Sequence, residues 1–370
     1  MRGWFRALGV VMVLAVVACS PKAGGNAAKP SGEVRIYNWS DYIDPMLLKR
    51  FTKETGIKVT YDTFDSNEVL ETKVLQGNTG YDVVVPSNHN IPRYIAAGAI
   101  QPLDKKLLPG LDSLDPGVMA HMAPFDPGGK YAVPYMQGTI GIGYNVKALA
   151  RHLPDVKVDS WAVVFDPQNL AKLKDCGVYF LDASEDMYAV ALNYLGKDPN
   201  SKVAADYDAA TALLLKARPY VKKFHSSEYI EALANGDICV AIGYSGDILQ
   251  AKDRAEEAKN GVKIAYAVPK EGTQVWFDLF TIPKDAPNAA NAHKFIAFMM
   301  QPDVIAQASN ATRYANAVPA SKPMVDEAIT NDPDVYLTPE VSKRLFVTTT
   351  KDQALLRDVN RQWTKVLTGH

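Results

Sequence analysis

Cysteine and histidine are scarce in this 370-residue chain, which contains three Cys and six His residues. The His residues are scattered singly, and no two stand at the i, i+4 spacing of a helical zinc site, so the sequence predicts neither a metal site nor a cofactor. The formal net charge is only −1. Because a chain without a basic excess offers no electrostatic attraction for phosphates, no nucleic-acid partner is expected.

Long hydrophobic runs are also missing from the sequence, except near its beginning. Two arginines precede an apolar run from Leu8 to Ala18, which is too short to span a bilayer. The run ends in VVAC, which resembles a bacterial lipobox and predicts a lipoprotein-type signal peptide over residues 1–18 with lipidation of Cys19. The alternative is an ordinary signal peptide, cleaved near the later alanines. Residues 19–31 are rich in Gly, Ala and Pro and predict a flexible tether, so we expect a periplasmic protein anchored through Cys19.

Recognisable catalytic motifs are lacking as well. GYSGD, residues 243–247, is one residue short of the G-x-S-x-G nucleophile motif, and GTIGIG, residues 138–143, does not fit the G-x-G-x-x-G fingerprint. The glycines of the second stretch instead suit a crossover between two lobes. Paired carboxylates are present and perform glycoside hydrolysis in some enzymes, but no other feature supports that chemistry, and an enzyme is not expected.

Two cysteines remain besides Cys19. Cys176 and Cys239 lie in or beside predicted strands, CGVYF and DICVAI. An oxidising compartment permits a disulfide between them. The alternative is a pair of buried free thiols, because sequence alone does not show whether the two Cα atoms are close enough for a bridge.

The region that follows the tether alternates between strand and helix patterns. Val34 to Asn38, IKVTYDTF and YDVVVPS each predict a strand, and DPMLLKRFTKETG and SNEVLETKVLQG predict the helices between them. Asp44, Pro45 and Gly56 supply the cap, first-turn proline and stop of the first helix. This alternation predicts an α/β fold with helices flanking a largely parallel sheet, and the chain length favours two domains. The last hundred residues predict mostly helix, over 288–312 and 342–367.

Aromatic, hydroxyl and acidic side chains recur where the predicted strands end. Ligands of open α/β sheets bind beyond the carboxyl ends of the strands, so these side chains are expected to converge on one cleft. No Lys or Arg stands among them, and carboxylates beside aromatic rings suit a cation with an apolar body. Each residue alone has a plainer interpretation, as a helix cap or a core side chain; their coincidence favours a site. The residues are Trp39, Ser40, Asp41, Ser87, Glu185, Tyr244, Asp247, Trp276 and Asp278.

Several longer stretches resemble one protein family. VRIYNWSDYI, YDVVVPSN, GTIGIGYN, LANGDICVAIGYSGD, WFD and RQWTKV are similar to bacterial periplasmic polyamine-binding proteins, the solute receptors of ABC importers. LDASEDMYAVALNYLGKDPNS is most similar to the putrescine-binding branch. The resemblance covers nearly all of the chain after the tether, and it adds Tyr314 to the expected ligand site.

The resemblance implies a type II periplasmic-binding-protein fold, in which two lobes with central β-sheets hold the ligand in the cleft between them. Lobe 1 is expected to comprise residues 32–138 and 277–320, and lobe 2 residues 139–276 and 321–370. The implied function is capture of a polyamine, putrescine first, by a monomer that delivers it to an ABC permease in the inner membrane. A lipid-anchored polyamine sensor, or an exported enzyme acting on a cationic substrate, is the alternative.

The sequence departs from the family pattern at four positions that bear on the ligand. Relatives often have Trp where this chain has Gln137, and the putrescine-type pocket has Trp and Phe where it has Tyr244 and Trp276. His89, close to Ser87, is also unusual. Because these changes alter the width and polarity of the pocket, the resemblance implies a polyamine more firmly than it implies putrescine rather than spermidine.

Overall fold

The computed structural model describes residues 32–369. The predicted signal peptide, the lipidation site Cys19 and the tether lie outside the described residues. Within the described range, no helix is both long enough and apolar enough to cross a membrane.

The strands follow the predicted pattern through the first hundred described residues, and the later strands are mostly short except for two. The two longest are built from the glycine-punctuated stretch before Asn145 and from the TQVWFDLFT segment. Within residues 32–369 the strands are β1 (Glu33–Trp39), β2 (Lys58–Phe64), β3 (Val83–Val84), β4 (Ala132–Asn145), β5 (Val178–Phe180), β6 (Lys223–Phe224), β7 (Val240–Tyr244), β8 (Ile264–Ala267), β9 (Thr273–Thr281), β10 (Ala315–Asn316) and β11 (Leu345–Phe346).

Most helices begin at a capping side chain or a proline. The Asp44 side chain accepts a hydrogen bond at the start of α1, and Gly56 ends that helix in the left-handed conformation. The helices of the described chain are α1 (Pro45–Thr55), α2 (Asn67–Gln76), α3 (Ile91–Ala96), α4 (Pro116–Met122), α5 (Val146–His152), α6 (Ala162–Phe165), α7 (Pro167–Leu173), α8 (Ser184–Tyr194), α9 (Ala204–Ala217), α10 (Tyr229–Asn235), α11 (Ser245–Ala258), α12 (Ala289–Met299), α13 (Pro302–Thr312), α14 (Glu327–Thr330), α15 (Pro339–Ser342) and α16 (Gln353–Thr368).

The described strands form one connected sheet in the order β2-β1-β3-β9-β4-β7-β5-β6, with β8 and β10 on β4 and β11 on β9. β1 pairs in parallel with β2 and β3, and β5 pairs in parallel with β6 and β7. Antiparallel β4 and β9 join these two parallel groups. The α/β fold class predicted from the sequence is thereby confirmed.

The pairing of β4 changes partway along the strand. Residues 132–139 pair with β9, whereas residues 140–145 pair with β7 and β8. This change supports the predicted lobe division, which we retain as our proposal: lobe 1 is residues 32–138 and 277–320, and lobe 2 is residues 139–276 and 321–370. β4 and β9 run through both lobes and therefore bring the strand ends of each lobe to a common cleft.

The C-terminal region differs from the predicted continuous helix over 342–367. Residues 345–346 form β11, which pairs in parallel with β9, and α16 begins only at Gln353. The β-branched run from Val347 to Thr350 separates them, and β-branched residues favour extended backbone over helix. The chain thus passes beside the cleft before α16 packs against α8 and α9 of lobe 2.

A disulfide joins two neighbouring segments of lobe 2. Cys176 and Cys239 are bonded, and their Cα atoms are 5.4 Å apart, within the range that a disulfide spans. Cys176 precedes β5 and Cys239 precedes β7, so the bridge fastens the entrances of two adjacent parallel strands. The alternative of two free thiols does not describe this structure.

Candidate functional site

A cavity of about 40 Å³, continuous with a cleft that is open to solvent, lies between the two proposed lobes. Its walls come mainly from the carboxyl ends of β1, β2, β3 and β7, from the first turn of α8, and from the middle of β9. The lining side chains are aromatic, hydroxyl-bearing or acidic. They belong to Trp39, Ser40, Tyr42, Phe64, Asp65, Ser87, Asp186, Ser226, Ser227, Tyr244, Asp247, Trp276, Asp278 and Tyr314.

Aromatic rings form the apolar walls. The Trp276 ring meets Tyr244 edge to face at a centroid distance of 5.8 Å and Tyr314 at 5.1 Å. A Cβ atom at Gly138 would lie 2.5 Å from the Trp276 ring and 2.8 Å from Tyr314, so the approach of these two rings requires glycine there. Across the cavity, Trp39 packs on Phe64 at 4.5 Å. The rings are thereby fixed as surfaces for a ligand body.

Asp247 is the first of three buried carboxylates in the cavity wall. Its Oδ2 accepts a hydrogen bond of 2.6 Å from the Tyr229 hydroxyl, and its Oδ1 accepts one of 2.8 Å from the Tyr314 hydroxyl. Burial raises the pKa of Asp247 to about 7, although these two hydrogen bonds act in the opposite direction. The ionised form is therefore costly as long as no cation faces it.

Asp278 is the second carboxylate, and it stands on β9. The Ser87 hydroxyl donates a 2.6 Å hydrogen bond to its Oδ1. Burial, together with the smaller effect of the neighbouring charges of Asp186 and Asp247, raises the pKa of Asp278 to about 7. The Tyr42 hydroxyl lies close enough to lower this pKa, yet its buried oxygen forms no hydrogen bond of ordinary geometry, so we regard Ser87 as the support of Asp278.

Asp186 is the third carboxylate and was not among the predicted site residues. Its Oδ2 accepts a 2.9 Å hydrogen bond from the Tyr244 hydroxyl, and its Oδ1 accepts one of 2.9 Å from the Gln274 amide. Burial raises the pKa of Asp186 to about 6. The sequence contained a signal for Asp186, because it follows the predicted site residue Glu185 at the start of a helix. Successive helical residues face directions about 100° apart, so only one of these two acids faces the cavity.

All the charged side chains that line the cavity are acidic. None of the fourteen lining residues of the described chain is Lys, Arg or His. Three buried carboxylates are therefore supported by hydroxyl and amide donors alone, which stabilise a negative charge without neutralising it. Such an arrangement binds a ligand that carries more than one positive charge and an apolar middle.

Eight of the ten predicted site residues line the cavity, and two do not. Asp41 turns outward and its Oδ1 accepts a 2.7 Å contact from Arg254, at the exposed edge of the cleft. Glu185 points away from the cavity toward Arg93 and Lys351. None of the ten is Lys or Arg, but the expectation that all the acids would face a cationic ligand was wrong for these two, because Arg and Lys residues distant in sequence bind them. The eight are Trp39, Ser40, Ser87, Tyr244, Asp247, Trp276, Asp278 and Tyr314.

Besides Asp186, the sequence prediction missed five lining residues, all at positions with a recognisable signal. Phe64 and Asp65 end β2, Ser226 and Ser227 follow β6, and Tyr42 belongs to the same strand-end segment as Trp39. The rule that ligands lie beyond strand ends applies to β2 and β6 as well. Of the departures from the family pattern, Gln137 and His89 do not line the cavity, whereas Tyr244 and Trp276 do.

Within the described residues, one group of side chains has the spacing of metal ligands. His152, Cys176 and Cys239 place one ligand atom each within 4.8 Å of the others. Because both sulfur atoms are committed to the disulfide, no thiolate is available there, and thiolate is the form of cysteine that binds a metal.

The chain is similar to known proteins in sequence and in fold. The family model for bacterial extracellular solute-binding proteins matches residues 46–336. The putrescine-binding periplasmic protein PotF of Escherichia coli (strain K12) is 50% identical over 347 residues, which are 93% of this chain and 94% of that protein. The putrescine-binding periplasmic protein SpuD of Pseudomonas aeruginosa (strain UCBPP-PA14) is 49% identical over 358 residues, 96% of this chain and 98% of that protein. The structure of the Tp0655 (TpPotD) lipoprotein of Treponema pallidum matches with a TM-score of 0.75 at 26% identity, covering 90% of this chain and 99% of that chain.

Proposed function

Since the chain belongs to the family of bacterial extracellular solute-binding proteins, we propose that it captures putrescine in the periplasm and delivers it to an ABC importer. The observation that carries this proposal is the cavity with three buried carboxylates, aromatic walls and no cationic side chain in its lining. A ligand that matches this cavity carries two positive charges and an apolar body, and a short diamine has both. Two relatives, 50% and 49% identical in sequence, are named for putrescine binding, which favours the same ligand for this chain.

The hydrogen bonds around Tyr244 support recognition of both ends of a diamine. Its hydroxyl donates a hydrogen bond to Asp186. Its backbone N–H donates a 3.1 Å hydrogen bond to the Tyr229 hydroxyl, which in turn donates to Asp247. Asp186 and Asp247 therefore lie near opposite ends of one tyrosine, which is about 6–7 Å long from backbone nitrogen to hydroxyl. An extended four-carbon diamine measures about 6 Å between its nitrogens. We propose that one ammonium binds at Asp186 and the other at Asp247, with Asp278 between them.

The expected interactions are sufficient for tight binding. Four methylenes contribute ~3 kcal/mol when they are buried between rings. Each charged hydrogen bond adds about 1.5–3 kcal/mol, and contact of an ammonium with a ring face adds up to ~2 kcal/mol. Ordering of the ligand and closure of the cleft offset part of this. Micromolar binding requires about −8 kcal/mol, which these contributions reach.

Closure of the two lobes is the proposed mechanism of signalling to the importer. Lobe 1 supplies Trp39, Ser87, Asp278 and Tyr314 among other residues, and lobe 2 supplies Asp186, Tyr244, Asp247 and Trp276. Because the contacts from both lobes are complete only in the closed form, a bound ligand shifts the population toward that form. The monomer then has an open, ligand-free form and a closed, ligand-bound form, and the permease recognises the closed form.

A calorimetric panel tests the ligand assignment. Putrescine, cadaverine, agmatine, spermidine and spermine are titrated into the same protein preparation. We expect putrescine to bind most tightly, because a slot sized for four methylenes has no acceptor for the additional amine of the longer ligands. Tighter binding of spermidine would preserve the site and change the ligand, whereas no measurable binding of any of the five would overturn the proposed function.

We also propose that the protein is anchored to the membrane through lipidated Cys19. The VVAC motif and the tether that follows it support this, and the Treponema pallidum relative of the same fold is named a lipoprotein. Cys19→Ala is expected to move the protein from the membrane fraction to the soluble periplasmic fraction. Wild-type protein that is already soluble after fractionation would contradict the anchor without affecting the ligand site.

A further inference from the structure

A buried cluster of ion pairs joins the two lobes beside the cavity. The Nη2 of Arg93, on α3 of lobe 1, lies 2.6 Å from Glu71 Oε2 on α2 of the same lobe and 2.9 Å from Glu185 Oε1 on α8 of lobe 2. Lys351 of lobe 2 places its Nζ 3.2 Å from Glu185 Oε2. All four side chains are at most 15% exposed, so water screens these charges little.

Each charge in this cluster has a partner in its own lobe. Arg93 pairs with Glu71 within lobe 1, and Glu185 pairs with Lys351 within lobe 2, whereas the contact between Arg93 and Glu185 crosses the cleft. The His89 ring of lobe 1 also lies 3.9 Å from Glu185 Oε1, but burial lowers the pKa of His89 to about 4, so this ring carries no charge near neutral pH. A buried charge that loses its only partner is strongly destabilising. Separation of the lobes would break the crossing contact without leaving either charge unpaired, so the cluster permits both an open and a closed arrangement.

Three consecutive residues at the start of α8 make different contacts across the cleft. The backbone N–H and the hydroxyl of Ser184 donate to Glu68 Oε1 of lobe 1, at 2.9 and 2.7 Å. Glu185 binds Arg93 of lobe 1, and Asp186 faces the cavity. The helical turn that presents the carboxylate to the ligand is thus the turn that lobe 1 holds in place.

We propose that Glu185 is a positioning residue for the ligand site: through Arg93 it fixes the first turn of α8 against lobe 1, and it does not contact the ligand. Both of its carboxylate oxygens are occupied by cations of the protein, whereas the oxygens of Asp186 are supported only by Tyr244 and Gln274. This inference rests on the proposed function and names the residues that stabilise its closed form.

The inference distinguishes two kinds of loss. A residue that acts through closure weakens every ligand that requires the closed form by the same factor. A residue that receives an ammonium weakens ligands according to whether they carry that ammonium. The ratio of the dissociation constants for 1,4-diaminobutane and 1-butylamine therefore separates a positioning role from a contact role.

The experiment compares Glu185→Gln, Arg93→Met and their combination with the contact variant Asp186→Asn. Calorimetry gives the dissociation constants for 1,4-diaminobutane and 1-butylamine. We expect Glu185→Gln and Arg93→Met each to weaken 1,4-diaminobutane by about tenfold or more. The double variant should bind 1,4-diaminobutane about as tightly as either single variant, because each single substitution already removes the same crossing contact. In these variants the ratio of the dissociation constants for the two ligands should equal that of the wild type, and it should change only in Asp186→Asn.

Two outcomes would overturn the inference. Glu185→Gln that binds 1,4-diaminobutane within twofold of wild type would show that the crossing contact has no effect on the site. Glu185→Gln that changes the ligand ratio as Asp186→Asn does would make Glu185 a contact residue. Wild-type protein that binds neither amine would instead contradict the proposed function.

Thermal unfolding of each ligand-free variant checks that it is folded. If Glu185→Gln does not fold, Arg93→Lys replaces it in the comparison, since it keeps the charge and loses the second hydrogen-bonding nitrogen. Small-angle scattering of this variant at saturating 1,4-diaminobutane should show a more extended particle than the wild type, and an identical particle with unchanged affinity would overturn the inference.

Discussion

Ligand binding should depend strongly on pH, because the three cavity carboxylates are partly protonated near neutrality. Burial raises the pKa of Asp247 and of Asp278 to about 7 and that of Asp186 to about 6. The ligand amines stay charged throughout, since primary amines titrate near 10. An ammonium favours the ionised carboxylate, so binding releases protons wherever the empty cavity holds them. Affinity must therefore rise as the pH rises.

The magnitude follows from the two carboxylates of highest pKa. Below its pKa, each group that must lose a proton costs about tenfold in affinity per pH unit. Between pH 8 and pH 5.5, one group with a pKa of about 7 lowers the affinity about 30-fold, and two such groups lower it about 10³-fold. Asp278 interacts with both Asp186 and Asp247, so the protons belong to the three groups jointly.

Calorimetry of putrescine from pH 5.5 to pH 8 measures the affinity directly, and titration at one pH in buffers of different ionisation enthalpy counts the protons released. We expect between one and two protons at pH 6.5. Asp278→Asn removes one titrating group and should reduce both the count and the slope of affinity against pH. An affinity that varies less than threefold over this range, with no proton release, would refute the reasoning that the empty carboxylates are protonated.

Three further predictions address the acids, the ligand and the disulfide. Asp247→Asn and Asp278→Asn should each cost about 2–5 kcal/mol of binding free energy, since the first removes the partner of one buried ammonium and the second removes a negative charge that attracts both; calorimetry with the exposed Asp112→Asn as control would contradict this if both variants bound within threefold of wild type. Butylamine should bind about 3–5 kcal/mol more weakly than putrescine because it leaves one carboxylate unpaired, and binding within tenfold would exclude recognition of both ends. Cys176 and Cys239 should resist alkylation in unreduced protein, and their reduction should lower the free energy of unfolding by about 4 kcal/mol for a loop of 63 residues; mass spectrometry that finds both cysteines labelled would contradict the bridge.

Much of the fold and most of the site followed from local patterns in the sequence. Caps and stops placed α1 and α2, and the buried valine run before Ser87 placed the third strand. Strand-end chemistry then identified Trp39 and Asp247, because parallel strands end at one edge of the sheet whatever their order. The strand end expected at Asp278 was wrong: this residue lies in the middle of β9, and it lines the cavity because the antiparallel strand runs along it. The resemblance to a known family added Tyr314, whose position after α13 carries no local signal of a ligand contact.

The errors arose where partners distant in sequence decide the role of a side chain. Asp41 and Glu185 were expected in the cavity, but Arg254, Arg93 and Lys351 reach them from other elements. A sequence pattern shows that a carboxylate follows a strand; it does not show which cation approaches it through the fold. The predicted helix after Ser342 failed for a similar reason, since pairing with β9 stabilises β11.

The contrast between Glu185 and Asp186 shows how neighbouring carboxylates acquire different roles. Both are buried, and burial alone would raise the pKa of either. Lys351, His89 and Arg93 lower the pKa of Glu185 to about 2, so its charge is permanent and already compensated. Asp186 receives only neutral donors and keeps a pKa of about 6. Its charge is costly until a cation arrives, and that cost makes the ligand's ammonium its best available partner. Conversely, a cation beside Asp186 would stabilise the empty protein and weaken the ligand by the same interaction, so the absence of Lys and Arg from the lining residues of the described chain is what keeps the cavity able to bind.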